Sequence, residues 1–495
     1  MRLAQLLQGI AEVSVDTEIS GLALDSRQVC GGDAFLACAG SQRHGLQFLP
    51  AALQRGAVAV LWEPAEGVAA PQLPPGVTGV AVPRLHALAS ELGARLQRHP
   101  SHNLRVVGIT GTNGKTTTAW LLAQALSACG QPAAYLGTLG SAFGGSVQPG
   151  ELTTPDPLAL QRQLRAFADQ GAVAVALEVS SHALAQSRVA AVNFETAVFT
   201  NLSRDHLDYH GTMQAYAAAK ASLFAFANLR LRVINADDAL GAQLLVRADA
   251  GQAVAFSRDP HFKPPADGHW LQAIDLRTDA GGTTFTLHSS YGTAPVHSTL
   301  LGGFNVENLL GVLGVLLGSG VPLAQAVGAV AGVNEPPGRL QRFGGAGLPL
   351  VVVDYAHTPD ALDKALQVLR AHCTGKLWCV FGCGGDRDAG KRPQMGRIAA
   401  AAADRVILTD DNPRGESPAA IVAQIRAGMG AAAIATQVIP DRAEAIARAV
   451  CDSAADDAVL VAGKGHEDYQ LVGSQRLAFS DAQCVQAALA RRRAA

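Results

Sequence analysis

The run Gly108-Ile-Thr-Gly-Thr-Asn-Gly-Lys-Thr-Thr-Thr118 constrains this chain more than any other stretch. An apolar segment, Leu104 to Ile109, leads into it and reads as a buried strand. Thr116 to Cys129 leads out and reads as an amphipathic helix, with Leu121, Leu122 and Leu126 at helical spacing. Strand, glycine-rich loop and helix in that order are the context a phosphate-binding loop requires. Glycines let the backbone wrap a phosphate, so that N–H groups point inward and the helix N-terminus faces the anion. Lys115 would neutralise the outer phosphates, and the Thr116 hydroxyl would ligate Mg2+. The general pattern has glycine where Ile109 stands; Gly108 and Gly111 serve instead, in the form Gly-Thr-Asn-Gly-Lys-Thr.

Size and composition set the surroundings of this loop. A chain of 495 residues is long enough for about three domains. An apolar content of 48% and a charged content of 16% suit packed α/β layers and exclude a disordered chain. A net charge of -2, with no basic tract of the required length, leaves no footprint of a nucleic-acid or membrane-surface binder. Met1 to Gln8 has no long apolar core or cleavage site, so no signal peptide is expected. The uncharged stretch Asn308 to Asn334 is broken by Gly318-Ser-Gly-Val-Pro322, which predicts two helices joined by a turn and no membrane span. Among the eight cysteines only Cys379 and Cys383 lie close together, without a second pair to complete a zinc site. Buried thiols in a reducing cytoplasm are the expectation.

Along the chain, residues 1–100 read as a small α/β domain, with apolar runs at Val58 to Trp62 and Val77 to Val82 and a helix over Leu85 to Gln97. Asp25-Ser26-Arg27 is either a polar turn or a binding element. Residues 101–335 read as the nucleotide domain. Gly137 to Gly145 is expected to be a second glycine-rich loop, and Thr153-Thr154-Pro155-Asp156 a helix start. The buried strand Ala172 to Leu177 ends in Glu178-Val-Ser-Ser-His182, which places a carboxylate where parallel sheets bind ligand and makes Glu178 a candidate Mg2+ ligand. The next strand, Thr196 to Thr200, ends in Asn201-Leu-Ser-Arg-Asp-His-Leu-Asp-Tyr-His-Gly211; there His206 could ligate a metal and Asp205 orient it. On the helix Met213 to Phe224, Lys220 reads from the residues alone as a solvated lysine. Short strands are expected between Ala253 and Ser298, and the linker-like Asn334 to Arg339 marks the second boundary.

Residues 336–495 read as a third α/β unit. Its strands Leu350 to Val353, Leu377 to Phe381, Arg405 to Leu408 and Ala458 to Ala462 each end in a polar cluster: Asp354-Tyr-Ala-His357, Gly382 to Asp388, Thr409 to Arg414, and Gly463 to Asp468. In a doubly wound sheet these ends line one edge and form a charged cleft.

Four of these segments, Gly111-Thr-Asn-Gly-Lys-Thr-Thr117, Asn201 to Gly211, Asp354-Tyr-Ala-His-Thr-Pro359 and Gly382-Cys-Gly-Gly-Asp-Arg-Asp388, resemble the Mur ligases of peptidoglycan synthesis in order and over the whole chain. Residues and resemblance together imply an α/β fold of three domains: a central P-loop-type doubly wound sheet flanked by a small N-terminal α/β domain and a Rossmann-like C-terminal domain. The resemblance implies an ATP-dependent ligase in the cytoplasm, monomeric, with Mg2+, acting on UDP-MurNAc-L-Ala-D-Glu. The motif Asp411-Asn412-Pro413-Arg414 implies meso-diaminopimelate as the added amino acid in place of L-lysine. The alternatives are the L-lysine-adding sibling ligase and a folylpolyglutamate synthetase-like amide ligase, which shares the loop.

Further roles follow from the resemblance alone. ATP would be held by Gly111, Thr112, Asn113, Gly114, Lys115, Thr116 and Thr117, with Asn308 and Arg339. Lys115, Glu178, His206 and Lys220 would be catalytic, and Thr116, Glu178, His206 and Lys220 would hold metal, with Lys220 carbamylated. Leu24, Ser26, Ser41, Gln42 and Arg43 would touch the uridine nucleotide. Thr153, Thr154, Ser180, Gln186 and Arg188 would hold the muramoyl dipeptide. Arg387, Asp411 to Arg414, Gly463 and Glu467 would bind diaminopimelate; a guanidinium fork suits its distal carboxylate.

Overall fold

The computed structural model describes residues 1–40, 43–150, 152–246, 251–265, 268–279, 281–345, 347–431 and 436–494. Contacts divide the chain into two compact units. The first comprises Met1–Phe256, Pro264–Trp270 and Gly314–Val321; the second comprises Ser257–Lys263, Leu271–Leu313 and Pro322–Ala495. The fold is α/β, with three sheet-centred domains.

In the first unit, β1 (Leu22–Ala23), β2 (Ala34–Ala37), β3 (Ala59–Trp62) and β4 (Thr78–Ala81) form a parallel sheet in sequence order. Its two faces bury Leu36, Leu61 and Leu92 on one side and Phe35, Val60 and Ala52 on the other. The helix Leu85–Leu96 lies against the helix Pro157–Asp169, close enough that a Cβ on Gly93 would stand 3.1 Å from Leu158 Cδ2. Asp156 caps that second helix by accepting from the N–H groups of Leu158 and Ala159, a contribution of about 1 kcal/mol.

The central sheet contains β5 (Arg105–Thr110), β6 (Ala133–Gly137), β7 (Gly140–Phe143), β8 (Ser146–Gln148), β9 (Ala174–Glu178), β10 (Phe194–Phe199), β11 (Leu231–Asn235) and β12 (Gln252–Ser257). Its order is β8-β7-β6-β9-β5-β10-β11-β12, and the run from β6 to β12 is parallel. Continuous apolar strands such as Val106 to Ile109 suit a sheet covered on both faces, and these residues are buried. The segment Gly137 to Gly145, expected to be a loop, is a β-hairpin: Tyr135, Leu136 and Gly137 pair antiparallel with Ala142, Ser141 and Gly140. Gly137 and Gly140 are the last paired residues before the turn Thr138-Leu139, and Gly144-Gly145 forms the next turn.

In the second unit, β13 (His269–Asp279), β14 (Gly282–Ser289) and β15 (Gly292–Ser298) pair antiparallel. The predicted break at Gly318 to Pro322 separates the helices Phe304–Gly318 and Leu323–Ala331, and no described helix is long and apolar enough to cross a membrane. The last sheet has β16 (Gln341–Gly344) antiparallel at its edge. Parallel to one another run β17 (Leu350–Asp354), β18 (Leu377–Phe381), β19 (Arg405–Leu408), β20 (Gln437–Val438) and β21 (Ala458–Ala462), in the order β17-β21-β18-β19-β20. All their C-terminal ends therefore lie along one edge. A final hairpin is made by β22 (Tyr469–Val472) and β23 (Gln475–Ala478). Cys379 and Cys383 are buried free thiols, and burial pushes each up to about 12, as inert core cysteines require.

Candidate active site

The ends of β9, β5 and β10 are neighbours, because Ile109 is in register with Glu178 and Thr110 with Phe199. From the end of β5 the loop Gly111 to Gly114 turns into the helix Lys115–Ala128. Gly111 has φ 151°, and a Cβ there would lie 1.9 Å from Thr200 Oγ1, so only glycine fits. The loop is laced to the end of β10. Asn201 Oδ1 accepts from Asn113 N at 2.9 Å, Thr200 Oγ1 donates to Asn113 O at 2.6 Å, and Thr112 Oγ1 pairs with Tyr216 OH at 3.2 Å. Thr116 and Thr117 open the helix, half-buried.

Glu178 is fully buried at the end of β9, where its carboxylate is met by neutral donors. Its Oε1 accepts from Tyr135 OH at 2.5 Å and Thr138 N at 2.9 Å; Oε2 accepts from Thr116 Oγ1 at 2.9 Å and Thr138 Oγ1 at 3.1 Å. A Cβ on Gly137 would come within 2.0 Å of Oε1, so the carboxylate rests on bare backbone. Four neutral donors offset the loss of water around the charge without neutralising it.

Lys220 departs from the solvated lysine that its residue neighbours predict. It is 1% exposed, and Nζ donates to Gly111 O at 2.6 Å. Lys115 Nζ donates to the same carbonyl at 2.8 Å and to Thr112 O at 2.8 Å. Two lysine amino nitrogens thus converge on one oxygen. Burial first, and then the Lys115 charge, bring Lys220 down to about 6, so it is a neutral amine at pH 7. The helix Met213–Ala221 presents Lys220 and Tyr216 inward together, with Nζ 4.5 Å from the Tyr216 ring centre.

His206 has φ 52° and stands at the start of a short helix, Leu207–His210. Its ring is 4.9 Å from that of His182 and 5.9 Å from that of Tyr216. Asp205 Oδ2 lies 3.5 Å from His206 Nε2, beyond a good hydrogen bond, so the expected orienting contact is loose. Burial, followed by the nearby His206, lowers both His182 and His210 below the ordinary imidazole value.

Thr153, Thr154, Ser180, Gln186 and Arg188 join the same net. Thr153 Oγ1 meets Thr138 Oγ1 at 3.1 Å, and Thr154 Oγ1 donates to Glu178 O at 2.8 Å and lies 3.4 Å from Ser180 Oγ. Arg188 donates to Thr154 O at 2.9 Å and to Gln186 Oε1 at 2.9 Å, and Gln186 Nε2 reaches Tyr209 OH at 3.1 Å. In the N-terminal domain, Ser26 is buried at the head of a turn whose preceding Asp25 accepts the Arg27 guanidinium; that bond holds the Asp25 carboxyl below its usual range. Leu24 is half-buried and Arg43 exposed, while Ser41 and Gln42 lie outside the described residues.

The second unit carries the rest. Asn308 Nδ2 donates to Asn305 Oδ1 at 2.8 Å, and the Arg339 guanidinium lies 5.1 Å from the Tyr355 ring centre. At the common strand edge, Arg414 Nη1 donates to Gly385 O at 2.8 Å. A Cβ on Gly384 would meet Arg414 Nη1 at 2.9 Å and Arg387 Cγ at 3.8 Å, so both arginines flank that glycine. Asn412 Nδ2 donates to Glu467 Oε2 at 2.9 Å. Asp411 is buried beside Gly463; burial raises its carboxyl, against the pull of Arg442.

Comparison with known proteins decides what this assembly is. Three family models match in order: Mur ligase family, catalytic domain, over residues 18–101; Mur ligase middle domain over 109–316; and Mur ligase, glutamate ligase domain, over 338–465. A UDP-N-acetylmuramoyl-L-alanyl-D-glutamate--2,6-diaminopimelate ligase of Pseudomonas aeruginosa is 49% identical over 96% of this chain and 96% of its own length. One of the same name from Xanthomonas campestris is 50% identical over 99% of this chain and 97% of its own. The chain belongs to the Mur ligase family. A solved structure of a ligase of that name aligns with this Mur ligase at TM-score 0.73 and 38% identity, covering 100% of this chain and 99% of the other.

The donors in this Mur ligase fit magnesium. A desolvated carboxylate and a threonine hydroxyl 2.9 Å apart are hard oxygen ligands, and Mg2+ keeps several waters besides. Among the described residues no group of three or more His, Cys, Asp and Glu is placed to hold a metal by itself. Two contributors to the ligase site escaped the sequence. Tyr135 and Thr138 orient Glu178 although they lie forty-odd residues before it. Tyr135 is in register with Ala176, whose side chain shares a face with Glu178, and only the strand pairing reveals this.

Proposed function

We propose that this Mur ligase joins meso-diaminopimelate to UDP-MurNAc-L-Ala-D-Glu with cleavage of ATP, in cytoplasmic peptidoglycan precursor synthesis. The γ-phosphoryl group passes to the free side-chain carboxylate of D-glutamate, giving ADP and an acyl phosphate. The diaminopimelate amine attacks that carbonyl, a proton leaves, and the tetrahedral intermediate collapses to the amide and inorganic phosphate. Such chemistry depends mainly on positioning and charge neutralisation. The loop N–H groups and Lys115 take the phosphates, and Thr116, Glu178, His206 and carbamylated Lys220 hold Mg2+. Bound there, Mg2+ would stabilise charge on the transferring phosphoryl oxygens. A neutral, buried amine supports the carbamate reading, because only the unprotonated nitrogen can add to CO2.

The segments 1–100, 101–335 and 336–495 are assigned to the uridine nucleotide, to ATP and to the amino acid. What carries the amino-acid assignment is the edge of the last sheet, where Arg387, Arg414 and Glu467 offer cations and a carboxylate to a zwitterion. Phosphate release with purified UDP-MurNAc-dipeptide and each amino acid tests it: meso-diaminopimelate should be used far better than L-lysine. Equal rates with lysine would sink the assignment.

A further inference from the structure

Between Gly463 and Glu467 stands Lys464, whose side chain is fully buried. Its Nζ donates to Asn412 Oδ1 and to Glu467 Oε2, each at 3.0 Å, and lies 5.5 Å from the centre of the Tyr469 ring. An ammonium group leaves water only where partners compensate it, and these three divide its protons among an amide oxygen, a carboxylate and a π face.

The consequence falls on the two neighbours. Asn412 Oδ1 accepts from both Lys464 and Leu471 N, the latter at 2.9 Å. Because an ammonium can only donate, it selects the oxygen side of the amide. The Asn412 amide is thereby turned so that Nδ2 faces Glu467 Oε2 at 2.9 Å. Oε2 thus receives two donors, while Oε1 accepts none among the described residues, on a side chain that is 17% exposed. One oxygen anchors the carboxylate and the other is left to a ligand.

We propose that Lys464 is a positioning residue for the amino-acid substrate. It locks Asn412 and Glu467 in the orientation in which Glu467 Oε1 receives the substrate ammonium and the second Nδ2 proton of Asn412 receives its carboxylate. This rests on the reading of Asn412 and Glu467 as amino-acid contacts. Lys464 touches no reacting atom; it acts through these two side chains.

The test is steady-state kinetics of Lys464→Met and Lys464→Gln in the full-length chain, each substrate varied in turn, with thermal unfolding measured alongside. Loss of a buried charged hydrogen-bond partner should raise KM for meso-diaminopimelate on the order of 10- to 100-fold. KM for ATP and for the uridine substrate should stay within about twofold. Added to Asn412→Ala, the lysine change should cost much less than it does alone, because the amide it orients is already gone. An unchanged KM for the amino acid, a parallel rise for all three substrates, or full additivity with Asn412→Ala overturns the proposal. So does failure of both variants to fold, which would make Lys464 a stability element. If the unmodified enzyme forms no amide with meso-diaminopimelate, the underlying assignment fails instead, and that outcome is separate because it shows before any variant is made.

Discussion

Lys220 should be a reactive amine at neutral pH. With its value brought down to about 6, most of Lys220 is neutral at pH 7.5, against roughly 0.1% for a lysine at 10.5. The fraction able to attack CO2 is therefore raised about a thousandfold. In that addition the nitrogen bonds to the carbon and one proton leaves to solvent. The same shift has a sign for stability. Between about 6 and 10.5 the unfolded chain binds the extra proton, so the unmodified lysine opposes folding throughout this window. The opposition weakens as pH rises and is gone above the unfolded value. At pH 7.5 it amounts to about 4 kcal/mol as an upper figure, about 3 pH units at 1.36 kcal/mol each. In CO2-free buffer Lys220→Met should be more stable than the parent at pH 7.5, with the difference shrinking toward pH 10, while turnover is crippled. With 13C-bicarbonate, the parent should show a carbamate resonance at pH 7.5 that fades as pH falls through about 6 and is missing in the variant. Lys220→Ala should recover part of its turnover with a small carboxylic acid. A resonance that appears only above pH 9, or one that persists in Lys220→Met, would refute the reasoning.

Two further outcomes are expected. Tyr135→Phe removes one of the four donors to Glu178 and should raise the Mg2+ concentration for half-maximal rate about tenfold, leaving the unfolding midpoint within a few degrees; an unchanged Mg2+ requirement would deny Tyr135 its part. Asp481→Ala strands the fully buried Arg442, whose guanidinium grips both Asp481 oxygens at 2.7 and 2.8 Å, and should cost about 3–5 kcal/mol in urea denaturation. A loss below 1 kcal/mol would show that the pair is not structural.

The sheets were legible because their strands are continuous apolar runs closed by polar clusters. Arg405–Leu408 and Ala458–Ala462 fall where the residues put them. Such runs state their own burial, and parallel pairing then sends every polar terminus to one edge. Lys220 was not legible. Its helix is rich in alanine, which gives no contrast between faces, so the inward turn of Lys220 is decided by the packing of Tyr216 and by the Gly111 carbonyl more than a hundred residues earlier. The carbamylation expectation came from family resemblance; the physical ground for it came from the structure. Gly137 to Gly145 misled for the opposite reason. Glycine signals a turn, but it does not tell a loop from a hairpin whose strands lie between the glycines. Lys464 sat within a recognised cluster, yet nothing local separates a buried lysine from a solvated one.

The backbone of Arg414 has a bearing on descent. Its φ is 52°, and the chain is clamped there by Arg414 N to Leu471 O at 3.0 Å and by Gly473 N to Arg414 O at 2.8 Å. A left-handed backbone is tolerated by glycine and asparagine and resisted by β-branched side chains, at roughly 1–2 kcal/mol. The routes by which a lineage could exchange this arginine are therefore few. Asparagine and glycine are open, whereas valine, isoleucine and threonine would have to reshape the clamp first. Change at this position is channelled by the main chain before selection acts on the side chain.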